Sequence, residues 1–139
     1  MTADDAALQL VLALHRLVRS LRASGTTAGL HPTQLLMLVH LIQSGPRRIG
    51  ELAAWIPCSQ PTATTVANAL AADGLVDRVR DTSDGRAIQL RITDAGRAVV
   101  QDVVRGQAER LDERLAALTA AERAQVLAAI PVLRKMAAS

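Results

Sequence analysis

Between Leu75 and Ile92 the apolar period of this chain drops to two, and on either side it is helical. Ile88, Leu90 and Ile92 alternate with Ala87, Gln89 and Arg91, the pattern of a strand with one face buried. Leu75 to Arg80 and Arg86 to Ile92 flank Asp81-Thr82-Ser83-Asp84-Gly85, a cluster of turn formers. The segment therefore reads as a β-hairpin set into an otherwise helical chain.

The helices can be placed by their apolar spacing and their ends. Leu8, Val11, Leu12, Leu14, Leu17, Val18 and Leu21 predict a first helix from about Asp4 to Ala23, broken by Ser24-Gly25-Thr26-Thr27. Pro32 suits the first turn of a second, Thr33 to Gln43, stopped at Ser44-Gly45-Pro46. A short third helix, about Ile49 to Ile56, ends at Pro57. Ser59 is a good N-cap for a fourth, Gln60 to Ala72, closed by Gly74 in a left-handed position. After the hairpin, Thr93 starts a long helix, about Asp94 to Leu118. Thr119-Ala120-Ala121-Glu122 has capping-box spacing for a last one to about Met136, which Pro131 should kink or restart.

A chain of 139 residues buries roughly two-thirds of its surface on folding and needs no metal or disulfide staple. Cys58 is the single cysteine, so there is no internal disulfide framework. The longest mostly apolar run, Leu35 to Ile42, is far short of the ~20 residues that span a bilayer. With no signal-like N-terminus, the expected location is the cytoplasm and no membrane partner is expected. The net charge is +3, and from Ala6 to Gly50 there are five arginines and three histidines without one Asp or Glu. Such a one-sign block calls for an anionic partner or solvent.

Two short helices, the second polar-capped and followed at once by a hairpin, make a winged helix-turn-helix. The expected fold is mainly α with a small β-hairpin wing, flanked by long N- and C-terminal dimerisation helices. Residues 1–30 and 97–139 would dimerise, and residues 31–96 would be the DNA-binding domain. On the fourth helix Ala63, Val66, Ala67 and Leu70 share the face that must pack inward. The opposite face carries Pro61, Thr65 and Asn68, flanked by Gln60, Thr62 and Thr64, with no charge from Ser59 to Ala72. That suits a helix whose N-terminal turn enters the major groove, where backbone N–H groups meet phosphate. Gln60 and Asn68 could pair with adenine, and the threonine methyls could contact thymine. Taken singly, each of these residues fits an ordinary solvated helix surface as well.

The sequence resembles the MarR family of multiple-antibiotic-resistance regulators. The matching residues are Glu51-Leu52-Ala53, Ser59 with Thr62 and Thr64, Asp73-Gly74-Leu75-Val76 and Arg78 to Asp81. They continue in Asp84-Gly85-Arg86, then Leu90, Arg91, Ile92, Thr93 and Gly96. The resemblance implies a homodimer joined by the terminal helices, with the fourth helix in the major groove and the hairpin tip in the minor groove. Arg86 becomes the wing residue that reaches the minor groove, and Asp84 the carboxylate that orients it. A plain Asp/Arg pair stabilising the turn is the alternative for Asp84. The chain departs from the family pattern with Thr65 and Gly85 where many relatives have Arg, Pro57 where they have Gly, and Arg48 where they have Thr. Two fewer cations predict weaker phosphate affinity, which Arg47 and Arg48 would partly restore, alongside Arg78 and Arg80. Pro57 should reset the turn before the fourth helix.

Other signals are weaker. Cys58, next to Ser59, reads as a structural thiol, with redox sensing as the alternative. His15, His31 and His40 lack a metal-ligand spacing, so no metal and no cofactor are expected. No nucleophile, base and orienter stand at recognisable spacing, and the chain reads as no enzyme. Leu8, Val11, Leu14, Val18 and Leu21 near one end, and Val126, Leu127, Ile130, Leu133 and Met136 near the other, form stripes that a symmetric dimer would bury. The resulting expectation is a homodimeric transcriptional regulator, a repressor on a pseudo-palindromic operator of double-stranded DNA. A small anionic or aromatic effector, or another signal, would release it. A winged-helix dimer serving protein–protein assembly is the alternative.

Overall fold

The computed structural model describes residues 2–23 and 29–138, with the side chain of Ala23 left aside. The expected break at Ser24 to Thr27 lies outside the described residues. The elements are α1 (Ala3–Ala23), α2 (Pro32–Ser44), β1 (Arg47–Arg48), α3 (Ile49–Trp55), α4 (Gln60–Ala72), β2 (Val76–Arg80), β3 (Ile88–Ile92), α5 (Asp94–Ala116), α6 (Ala120–Ala128) and α7 (Ile130–Ala137).

Local chemistry explains most of the boundaries. Ser59 Oγ accepts the Thr62 N–H at 3.2 Å, capping α4. Thr119 and Glu122 exchange backbone and side-chain bonds at 2.9 and 3.1 Å, a capping box at α6. At the start of α2, Gln34 Oε1 accepts the His31 N–H at 2.8 Å. Helix α4 closes through Gly74, at φ 72°, while the Leu75 N–H returns to the Leu70 carbonyl at 2.9 Å. This cap needs a left-handed residue, which glycine adopts without strain.

The end of α3 has the same closure, with the Cys58 N–H on the Ala53 carbonyl at 3.0 Å. Here the left-handed position is filled by Pro57 at φ 22°. The proline does alter the turn: φ is 22° against 72° at Gly74, and Pro57 has no N–H to make the second closing bond that Gly74 gives to the Ala71 carbonyl, so only the longer bond is kept. After Ala129 the helix restarts, as Pro131 predicted. Pro131 lacks an N–H, so the chain restarts as α7 rather than continuing α6.

The sheet has three strands in the order β1-β3-β2, all antiparallel. Strand β1 was not foreseen, since two arginines show no strand period; Arg47 pairs with Leu90 and Arg48 with Gln89.

The chain divides into two compact units, Thr26–Val104 and Met1–Gly25 with Arg105–Ser139. In the first, Met37, Leu38 and Leu41 of α2 pack with Leu52 of α3 and with Ala63, Ala67 and Leu70 of α4. Val76, Leu90 and Ile92 of the sheet complete the core, joined by Val100 and Val103 of α5. Burying each large apolar side chain contributes about 1.5–3 kcal/mol. Gly96 lets α5 approach the end of α4, since a Cβ there would stand 2.3 Å from the Leu75 carbonyl oxygen.

In the second unit, Arg110 Nε donates to the Leu21 carbonyl at 2.9 Å and Arg114 to the Ser20 hydroxyl, tying α1 to α5. Arg123 Nε donates to the Leu115 carbonyl at 3.1 Å. Leu21 is the one buried hydrophobic residue among those described in this unit. No helix of the described residues is long and apolar enough to cross a membrane.

Candidate nucleic-acid interface

Helix α4 buries Ala63, Ala67 and Leu70 and exposes Gln60, Pro61, Thr62, Thr64, Thr65 and Asn68. The exposed face is polar and uncharged, as its spacing predicted. Its hydroxyls are held on the helix: Thr64 donates to the Gln60 carbonyl and Thr65 to the Pro61 carbonyl, each at 3.0 Å. Ser59 Oγ donates to Thr62 Oγ1 at 2.8 Å, so these two side chains belong to the cap. The methyls of Thr64 and Thr65 are thereby turned into fixed features of the helix surface.

Asn68 is not a free amide. Arg78, from the neighbouring strand β2, donates its Nη2 to Asn68 Oδ1. A guanidinium is thus brought onto a helix that has no charge of its own.

The other arginines sort by partner. Arg47 lies 3.9 Å from Glu51 and donates to the Pro46 carbonyl at 2.9 Å. Arg48 pairs with Asp81, through Nε at 3.1 Å and Nη2 at 2.5 Å, both on Oδ2. Arg48 was expected to offer its charge to phosphate; the carboxylate of Asp81 already answers it. Among the described residues, the side chains of Arg80 and Arg86 are exposed and have no ion-pair partner.

Asp84 accepts the backbone N–H of Arg86 at 3.1 Å. It shapes the turn, and what it orients is the Arg86 backbone rather than the guanidinium. Asp81, read in the sequence only as a turn former and part of the family motif, is the buried carboxylate of the wing. Arg48 first, then the Ser83 N–H and hydroxyl, hold it down to a pKa of about 2.

Cys58 is half-buried against the core. His40 of α2 stacks on Trp55 of α3, with ring centroids 3.9 Å apart. Burial, with the nearby Arg47, lowers the His40 pKa despite an opposing pull from Glu51. No group of three or more His, Cys, Asp or Glu among the described residues could hold a metal ion.

A short helix and a capped polar helix, followed by an antiparallel hairpin with a third strand at its side, define a winged helix-turn-helix protein. The sequence profile of the MarR family matches residues 30–88. An uncharacterized HTH-type transcriptional regulator of Mycobacterium bovis is 35% identical over 114 residues, 82% of this chain and 80% of that protein. The HTH-type transcriptional repressor MdtR of Bacillus subtilis is 30% identical over 97 residues, 70% of this chain and 63% of MdtR. Among solved structures, Bordetella bronchiseptica BpsR, whose DNA binding is regulated by 6-hydroxynicotinic acid, superposes with a TM-score of 0.63 at 25% identity, covering 96% of this chain and 93% of BpsR. The chain belongs to the MarR family of transcriptional regulators, in which DNA binding is the shared activity.

Proposed function

We propose that the chain is a homodimeric repressor whose two α4 helices enter successive major grooves of a pseudo-palindromic operator. The observation that carries this reading is the winged unit itself: a fixed, uncharged polar face on α4, with two unpaired guanidinia, Arg80 and Arg86, on the hairpin beside it. Short polar groups suit base edges, and unpaired guanidinia suit phosphate and a narrow minor groove. Arg78, held by Asn68, supplies the cation that α4 lacks.

Dimerisation falls to α1 and the C-terminal helices. Leu8 is 59% exposed and Leu127 47%, and Val11, Leu14, Val18, Ile130 and Leu133 are exposed with them. A second copy would cover such stripes. The repressor sign is supported by the name of MdtR, and a small anionic or aromatic effector by the compound that regulates BpsR.

The test is a salt titration on a duplex selected from random DNA and on an unselected duplex. Gln60→Ala should cost roughly 1–3 kcal/mol on the selected duplex, little on the other, and leave the salt slope unchanged. Arg80→Ala should weaken both and reduce that slope by about one. Half-sites about 10 base pairs apart should be protected. No salt-dependent DNA binding at all would leave the protein–protein assembly module as the reading.

A further inference from the structure

Asp81 is the one charged side chain buried among the described residues, at 8% exposure. Both of its oxygens are used. Oδ2 accepts from Arg48 Nε and Nη2 at 3.1 and 2.5 Å. Oδ1 accepts from the Ser83 N–H and hydroxyl at 3.0 and 2.8 Å. Three pieces of chain therefore meet at one carboxylate. Arg48 ends β1 and directly precedes α3, Asp81 follows the last residue of β2, and Ser83 lies in the loop of the wing.

The loop beyond this point has little else to hold it. Residues 82–86 are all exposed and bring no apolar side chain to the core. Its internal bonds are local: the Asp81 N–H on the Ala87 carbonyl at 2.9 Å, the Ala87 N–H on the Asp84 carbonyl at 3.0 Å, and the Arg86 N–H on Asp84 Oδ1. They give the loop its shape but do not fix it to the helix-turn-helix. Of the side-chain bonds described for this loop, only the one between Arg48 and Asp81 reaches outside the hairpin. A loop left loose would have to be ordered when DNA binds, at a cost in affinity.

We propose that Arg48 and Asp81 are positioning residues, which lock the wing loop to the strand entering α3 so that Arg86 is presented at one place on the duplex. Resting on the DNA-binding reading above, this assigns Arg48 a role inside the protein rather than on phosphate. The Asp81 carboxylate, not DNA, takes its charge. Removing Arg48 would leave a buried carboxylate half satisfied, and removing the Asp81 charge would free the guanidinium and weaken the hold on the Ser83 end of the loop.

The experiment is a double-mutant cycle on the full chain, using a duplex selected from random DNA with the wild-type protein. Arg86→Ala should weaken binding about tenfold or more in the wild-type background. Asp81→Asn should itself weaken binding, although it removes a negative charge and would strengthen binding if long-range electrostatics alone mattered. In the Asp81→Asn and Arg48→Leu backgrounds, Arg86→Ala should cost less than about twofold further, because the unlocked wing no longer delivers the guanidinium. Equal losses from Arg86→Ala in all backgrounds, or Asp81→Asn binding as tightly as wild type, would overturn the proposal.

Amide exchange on the free protein separates this from the DNA-binding reading. The Ser83 and Ala87 amides should lose protection in Asp81→Asn and Arg48→Leu while the α4 amides keep theirs. Were Arg86→Ala silent in the wild-type protein, the wing would not touch DNA; unchanged Ser83 and Ala87 protection would sink the lock itself. Should Asp81→Asn fail to fold, Arg48→Leu carries the same cycle.

Discussion

The two units of this chain treat their apolar residues in opposite ways. In the winged unit Met37, Leu38 and Leu52 are 0% exposed. In the unit of terminal helices Leu8, Val126 and Val132 are about half exposed, and Leu21 is the one buried hydrophobic among its described residues. Helix α6 of the second unit carries a full capping box, as α2 of the first does, so what this unit lacks is a partner surface and not helix-forming chemistry. A winged unit with its own core can hold a fixed recognition surface; a unit without one depends on what it packs against, and can respond to it.

The largest expected effect lies in the second unit. If the proposed dimer forms through this stripe, Ile130→Glu with Leu133→Glu should leave a monomer in sedimentation equilibrium, since each places a charge on it. Loss of the paired half-site should then weaken operator binding by about 10²- to 10⁴-fold. A double variant that remains dimeric would break the comparison.

One substitution made in both units of the same helix sharpens it. Gly96→Ala would drive a Cβ to 2.3 Å from the Leu75 carbonyl oxygen and 2.8 Å from Ile92 Cγ1. Because the backbone cannot give way cheaply, about 1–3 kcal/mol of stability should be lost in urea unfolding. At Gly106 the nearest atom, Arg110 Nη1, would be 3.7 Å away, so Gly106→Ala should gain up to about 1 kcal/mol from helix propensity. Losses of equal size at both positions would mean that the two ends of α5 are packed alike.

The smallest effect is on pH dependence. Asp81 is held down to about 2 from an ordinary 3.8, chiefly by Arg48. Its stabilisation is therefore fully present above the ordinary value and is lost as pH falls towards about 2. His40 is lowered from 6.5, so below that value the unfolded chain takes the proton first and stability falls as well. Thermal unfolding against pH should show both declines. The lower one should flatten in Asp81→Asn, and an unchanged profile there would deny Asp81 its ionic role.

Much of this was legible in the sequence because it is short-range. Ser59, Gly74, Thr119 with Glu122, and Pro131 act within a turn of their own positions, and they marked the ends of α4 and the starts of α6 and α7. The polar face of α4 followed from spacing alone. Two side chains read from the sequence as facing DNA also make contacts that the spacing could not show. Asn68 is occupied by Arg78, and Arg48 by Asp81 across 33 positions.

What the sequence by itself determined is the order of helices and hairpin, the buried and exposed faces, and the family motif, all products of period and local capping. Only the tertiary structure decided that two arginines with no strand pattern become the third strand, and that His40 meets Trp55. It also decided which guanidinia are already answered by a carboxylate or an amide and which remain for a partner. The physical reason is that charge pairing depends on the distance between side chains in space, and Arg48, Asp81 and Ser83 become neighbours only after the strands have paired.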